Sequence, residues 1–140
     1  MSRKNFWNQN PVGKFFPLPN DLFRLELLPG EIAVYAYLMY RENRQTFQCH
    51  PSYTTIGKAV GMSSNTVRKY VQSLEEKHLI CTQPTTVVRK DGVKRNGSLL
   101  YTIRPIEEAK SYMIEREWEK IEQELDRAML KEAMKNRQVS

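Results

Sequence analysis

Polar side chains recur every three or four positions between residues 64 and 72, interleaved with apolar ones. In a helix this spacing places the polar residues on one outward face. The set is Ser64, Asn65, Arg68, Lys69 and Gln72. A guanidinium can bind guanine through two hydrogen bonds, and a carboxamide can bind adenine in the same way. We therefore expect Arg68, with Asn65 or Gln72, to contact base edges of a nucleic acid; a solvated helix face is the alternative.

Two serines stand where helices should begin. Ser63 can cap the third helix, and Ser64 and Thr66 then face phosphate or sugar. Ser52 follows Pro51 and can cap the second helix, whose free amides and positive dipole end favour a phosphate. The residues predicted to contact DNA at this second start are Ser52, Tyr53, Thr54 and Lys58. Helix capping alone would explain Ser52 equally well.

Residues 79–88 and 98–104 are rich in Thr, Val, Ile and Leu, and turn-forming Asp-Gly and Asn-Gly pairs lie between them. This pattern predicts a β-hairpin, in which Pro84 marks an edge or a kink. Four basic residues fall at its predicted tip: Arg89, Lys90, Lys94 and Arg95. We expect them to reach backbone phosphates or the adjacent minor groove. A charged tip that only maintains solubility is the alternative.

The segment from Glu31 to Glu42 is apolar nearly all round and predicts a buried central helix. In the stretch TTIGKAVGMSSNTVRKYVQSLEEKHLI, Gly57 is small where two helices would cross, Gly61 suits a left-handed turn, and Val67 anchors the third helix. A hairpin follows directly. The sequence therefore predicts a mainly α fold with a small β-hairpin wing (α+β), a winged helix-turn-helix with a long C-terminal helix.

The runs LLPGEIAVYAYLMY and HPSYTTIGKAVGMSSNTVRKYVQSLEEKHLI resemble helix-turn-helix domains of bacterial plasmid, phage and conjugative-element proteins. The region from residue 28 to 103 is also similar to the DNA-binding half of GntR-type regulators. The preceding FFPLPNDLF resembles, over a short stretch, the N-terminal segment of RepA-type replication initiators. His78 departs from the pattern, because such families usually have glycine before the Leu-Ile that opens the wing.

The C-terminal third predicts a charged helix with a coiled-coil seam of about two heptads. Its apolar positions are Ile114, Trp118, Ile121, Leu125 and Ala128. We expect the seam to form a homodimer, although the helix could instead fold back on its own domain through Trp118 and Ile121. The predicted organisation is an N-terminal tail (1–14), a DNA-binding domain (15–105) and the charged helix (106–140).

Charge is distributed unevenly along the chain. Residues 1–105 hold 15 Lys and Arg against 7 Asp and Glu, whereas residues 106–140 hold 7 against 9, so the basic character belongs to the domain. A basic domain attracts polyanions, of which nucleic acid is the commonest. The sequence predicts neither a membrane span nor a signal peptide, and Cys49 and Cys81 lack metal or redox spacing. We expect a cytoplasmic protein.

Other kinds of site have weaker support. No phosphate-cradling glycine loop, acidic metal cluster or nucleophile-histidine-acid set is evident, so we predict no catalysis, metal or cofactor. Cys49-His50 and His78-x-x-Cys81 are a poor zinc pattern. Four aromatic residues, Tyr35, Tyr37, Tyr40 and Phe47, could stack on single-stranded bases, but their placement favours core packing.

These features together predict sequence-specific binding of double-stranded DNA by a transcriptional regulator. A repressor of a bacterial or mobile-element operon fits best, because the C-terminal segment is too small for a ligand-sensing domain and no small-molecule ligand is expected. One alternative is a replication-initiation or partition protein of a plasmid or conjugative element. Another is a winged helix that serves only as a protein-interaction module.

Overall fold

The computed structural model describes residues 15–138, which form four α-helices and five short strands. The predicted tail, residues 1–14, lies outside the described residues. A 3-10 helix spans Asn20–Arg24, ahead of the first α-helix. The helices are α1 (Pro29–Arg41), α2 (Tyr53–Val60), α3 (Ser64–Glu76) and α4 (Ile106–Gln138). The strands are β1 (Gln48–Cys49), β2 (Ile80–Gln83), β3 (Thr86–Val88), β4 (Lys94–Asn96) and β5 (Leu100–Ile103). The predicted fold class is confirmed.

Helix α1 lies against α2, α3 and β5, as expected of a central helix. Its inner face buries Val34, Tyr35 and Leu38 completely or nearly so. Its outer face is partly buried, but Tyr40 near the helix end is 62% exposed. The expectation of core packing is therefore wrong for Tyr40 and for Phe47, which lies in the loop before β1 and is also exposed.

The predicted hairpin is divided into two separate sheets. Strand β5 is paired antiparallel with β1 on one side and β2 on the other. Beyond the break at Pro84, β3 and β4 form a distal two-stranded ribbon. Proline cannot donate to a ladder. Across the gap, the Gly97 amide donates to the Thr85 carbonyl at 2.8 Å, and the Thr85 hydroxyl donates to the Ser98 carbonyl. The kink predicted from Pro84 is present, but the prediction of two continuous strands is wrong.

The third helix ends earlier than its pattern suggests. It stops at Glu76, and His78 takes a left-handed conformation with φ of 63°. The Leu79 amide then donates to the Leu74 carbonyl at 3.0 Å, which closes the helix end and directs the chain into β2. His78 therefore occupies a backbone conformation that favours glycine, the residue usual here in similar families.

Helix α4 contacts the domain only near its beginning. Ala109 is buried, and Lys110 forms an ion pair with Asp21 at 3.0 Å. The ring centroids of Tyr112 and His78 are 4.5 Å apart. Every residue from 114 to 138 is exposed, including Trp118 at 62% and Ile121 at 46%. The fold-back alternative is therefore wrong for this chain. Charge is too frequent along α4, the longest helix, for it to cross a membrane, and no other helix within residues 15–138 could do so.

Candidate nucleic-acid interface

Helix α3 presents one apolar face to the core and one polar face to solvent. Val67, Val71 and Leu74 are buried to 1% exposure or less. The five residues predicted to face outward are all exposed. The Ser63 hydroxyl caps the helix, accepting a hydrogen bond from the Thr66 amide at 3.2 Å. The buried residues thus fix the direction of the helix, and the polar face is available to a ligand.

The side chains on the polar face of α3 make few hydrogen bonds with other residues between 15 and 138. Among residues 15–138, Asn65, Arg68, Lys69 and Gln72 make no hydrogen bond or ion pair through their side chains. The Ser64 hydroxyl lies 3.3 Å from that of Thr54, and the Thr66 hydroxyl lies 2.9 Å from that of Ser63. The guanidinium and carboxamide groups on this face therefore keep their hydrogen-bonding capacity free.

The start of α2 lies beside the start of α3, joined to it by the contact between Thr54 and Ser64. Thr54 and Lys58 are exposed on this surface. Ser52 is occupied as a cap, because its hydroxyl accepts from the Thr55 amide at 3.1 Å. Tyr53 is half-buried against the core. Of the four residues predicted here, Thr54 and Lys58 are thus the most accessible.

Two glycines set the angle between α2 and α3. Gly61 has φ of 74°, the left-handed conformation expected from the sequence. Gly57 lies so close to the Met62 carbonyl that a Cβ atom would overlap it, and the Met62 amide donates to the Gly57 carbonyl at 2.9 Å. The small residue expected at the helix crossing therefore accommodates the backbone of the turn.

A buried carboxylate, missed by the sequence analysis, holds α3 against α1. Glu31 is completely buried and accepts hydrogen bonds from the Leu28 amide at 3.0 Å, the Ser73 hydroxyl at 2.9 Å and the Lys77 ammonium at 2.9 Å. Burial raises the pKa of Glu31, but these hydrogen bonds outweigh it and lower the pKa below its usual value. The available signal was a single acidic residue in a mainly apolar helix, with Ser73 in the last turn of α3 and Lys77, four residues later, just after its end.

The predicted wing residues are exposed, but they do not all lie at the tip. Lys94 and Arg95 belong to strand β4, so the expectation that they lie in the connecting loop is wrong. The tip is a turn in which Gly92 has φ of 83° and the Gly92 amide donates to the Arg89 carbonyl. Lys94 is paired with Val88, and Arg95 with Val87. Because successive residues alternate faces, the ribbon carries basic side chains on both sides as well as at its turn.

Within residues 15–138, the basic residues at the candidate interface have no acidic partners. The four ion pairs of the described residues use other cations, namely Arg24, Lys77, Arg104 and Lys110. The unpaired set comprises Lys58, Arg68, Lys69, Arg89, Lys90, Lys94 and Arg95. Positive charge is therefore left unneutralised on α2, α3 and the ribbon, the elements that a DNA duplex would meet.

Comparisons with known proteins gave one family match and a structural likeness. The sequence model of a helix-turn-helix domain family matches residues 25–80. A possible transcriptional regulator from Methanosarcina mazei Go1 is similar in structure, with a TM-score of 0.47 and 18% identity over 74% of this chain and 80% of that chain. No curated protein matches. The matched region, residues 25–80, contains α1, α2 and α3, and is similar to that helix-turn-helix family.

Proposed function

We propose that the protein binds double-stranded DNA with α3 in the major groove and thereby regulates transcription, as a repressor of a bacterial or mobile-element operon. The observation that carries this proposal is the polar face of α3, which is exposed and largely free of intramolecular partners on a helix fixed from behind. The match to a helix-turn-helix family supports it. A protein with this function would act in the cytoplasm, where bacterial DNA is found.

Each part of the interface has a distinct role in this proposal. Arg68 forms a bidentate pair with guanine, and Asn65 or Gln72 pairs with adenine. Ser64, Thr54 and Lys58 contact phosphates, because they lie at the neighbouring starts of α2 and α3. The ribbon neutralises the backbone beside the groove. Specificity therefore depends on α3, and much of the affinity depends on charge.

The protein is further proposed to act as a homodimer through the exposed seam of α4. Helix-turn-helix dimers bind two half-sites related by a two-fold axis. The apolar stripe on α4 is the surface that could join two copies, since Ile114, Trp118, Ile121 and Leu125 are all exposed in the single chain. The expected operator is an inverted repeat.

We predict that Arg68→Ala lowers affinity for the preferred operator by about 10- to 100-fold, because one bidentate base contact is lost. Random-sequence DNA should lose much less. Fluorescence anisotropy on fragments selected from genomic DNA measures both affinities. Arg127→Ala, which removes one exposed charge from the distal part of α4, is the matched control and should change neither.

The genomic origin of the selected fragments also distinguishes a transcriptional regulator from a replication or partition protein. Fragments from a promoter agree with a regulator, whereas iterated repeats at an origin would indicate replication initiation or partition instead. Absence of binding at low salt would reject DNA binding and favour a protein-interaction module. Equal losses on operator and random DNA would reject base contact by Arg68 while leaving DNA binding intact.

A second prediction concerns the ribbon. Replacing Lys94 and Arg95 together with alanine should weaken binding to all sequences alike, because the lost contacts are to phosphates. The slope of log K against log salt should fall by roughly two for each protomer bound, close to one unit per lost phosphate contact. Titrations at several salt concentrations measure this slope. An unchanged slope would mean that β4 lies away from the DNA backbone.

A further inference from the structure

The middle of α4, from residue 114 to 128, carries an exposed stripe whose residues occupy the a and d positions of a heptad repeat. Trp118 and Leu125 fall at a, and Ile114, Ile121 and Ala128 fall at d. The four large side chains of this stripe are 46 to 62% exposed. A solvated helix seldom keeps such a stripe unless another surface covers it. If a second copy of α4 covers the stripe, the charges and sizes of the side chains along the helix indicate its direction.

Charge changes sign along the helix. Residues 106–122 contain six acidic and three basic residues, whereas residues 123–138 contain three acidic and four basic residues. The basic excess depends on Lys135 and Arg137 at the helix end, because residues 114–122 contain four acidic and two basic residues and residues 124–132 contain three acidic and two basic residues. The net charge of the two halves therefore does not set the orientation over the seam. The antiparallel orientation rests instead on the individual pairs that flank the seam.

The sizes of the stripe residues favour the same orientation. Antiparallel pairing centred between Ile121 and Leu125 sets Ile121 against Leu125 of the second copy and Trp118 against Ala128, the largest side chain opposite the smallest. Parallel pairing would stack tryptophan on tryptophan and leave alanine opposite alanine, which disturbs the even packing of a seam. It would also bring Glu132 against its own copy at the next a position, whereas the antiparallel pair sets Glu132 opposite Ile114.

The residues flanking the seam differ between the two orientations. In the antiparallel pair, Glu117 meets Lys131 of the second copy, and this contact occurs twice. In the parallel pair, Glu117 would meet Glu122, also twice. The antiparallel pair also brings Glu122 and Glu124 each near its own copy at the two-fold axis. It therefore has two attractive and two repulsive flanking contacts, whereas the parallel pair has two repulsive ones.

We propose that two copies of this chain associate through an antiparallel pair of α4 helices over residues 114–132, with Trp118 packed against Ala128 of the second copy. This inference rests on the proposed dimeric function and specifies its geometry. With a rise of about 1.5 Å per residue, the two Met113 positions lie about 30 Å apart along the helices, comparable to one turn of DNA. The two domains then stand at opposite ends of the pair.

Charge reversal at Glu117 distinguishes the two orientations by the sign of its effect. In the antiparallel dimer, Glu117→Lys sets two lysines against each other twice and should raise the dimer Kd about tenfold. In a parallel dimer the new lysine would meet Glu122 and lower the Kd. The double variant Glu117→Lys with Lys131→Glu should restore the original Kd, because the pair is re-formed in reverse. Sedimentation equilibrium measures each value, and circular dichroism checks that α4 remains helical.

Disulfide cross-linking provides an independent test on the full chain, with Cys81→Ser as background because Cys81 is exposed and Cys49 is buried. A mixture of Glu117→Cys and Lys131→Cys chains should form a mixed disulfide dimer, and Ala128→Cys alone should form none. Efficient cross-linking of Ala128→Cys to itself would overturn the antiparallel orientation but leave dimerisation standing. A monomer at tens of micromolar would overturn both. Neither result bears on DNA binding, which the Arg68→Ala titration tests separately.

Discussion

Replacing Glu31 with alanine is expected to lower the free energy of unfolding by about 2 kcal/mol, because a buried charge pair loses one partner. The Leu28 amide and the Ser73 hydroxyl would lose their acceptor, and Lys77 would remain half-buried without its carboxylate. Urea denaturation measures the loss. The control is Glu76→Ala, at an exposed position at the C-terminal end of α3, near Ser73 and Lys77. It should change stability by less than about 0.5 kcal/mol.

The loss of stability caused by Glu31→Ala should depend on pH, because the carboxylate must be ionised to contribute. The folded pKa of Glu31 lies below its ordinary value, so its contribution is fully present above that value and is lost as the pH falls through the folded pKa. The difference in stability between wild type and Glu31→Ala should therefore shrink between about pH 5 and pH 3. A difference that stays constant over this interval would show that packing around Glu31, and not its charge, stabilises α3.

The second large effect is expected at Gly57. Gly57→Ala should lower the free energy of unfolding by about 3 kcal/mol, because the new Cβ atom overlaps the Met62 carbonyl and the backbone of the turn must move. The shift would also tilt α3 relative to α2, so operator affinity should fall under conditions in which the variant is still folded. Thermal denaturation and DNA titration together measure the two consequences.

Gly61 offers a matched comparison four residues away. A Cβ atom there would meet open space, but φ is 74°, so Gly61→Ala should cost only about 1 kcal/mol of left-handed strain. The order of the two losses discriminates steric overlap from backbone conformation. If Gly57→Ala costs no more stability than Gly61→Ala, overlap with the Met62 carbonyl is not what excludes a side chain at Gly57.

Local features of the fold were predictable from the sequence because local chemistry determines them. Ser52 and Ser63 cap helices with their own hydroxyls, and Gly61 takes the left-handed conformation for which glycine has no steric penalty. The outward face of α3 followed from helical periodicity alone. Its binding to bases is not established by periodicity, and it stays a prediction.

Features that depend on distant residues were missed or placed wrongly. The bonds from Glu31 to Ser73 and Lys77 span more than 40 residues, so no window of sequence contains both partners. Pro84 indicated a kink, but the position at which pairing resumes depends on the register of β3 with β4, which put Lys94 and Arg95 on a strand. The exposure of Trp118 likewise depends on the direction in which α4 leaves the domain.

The division of the wing into two sheets has a consequence for the entropy of binding. Helix α3 is held in place by buried contacts in the free protein. In the proposed complex, its binding to DNA would therefore reduce mainly the rotamer freedom of its side chains. All six residues of β3 and β4 are exposed, and Pro84 interrupts the ladder that would tie them to the inner sheet. In the proposed complex with DNA, ordering this ribbon therefore carries a larger entropic penalty, offset by the release of counterions from the phosphates it would contact.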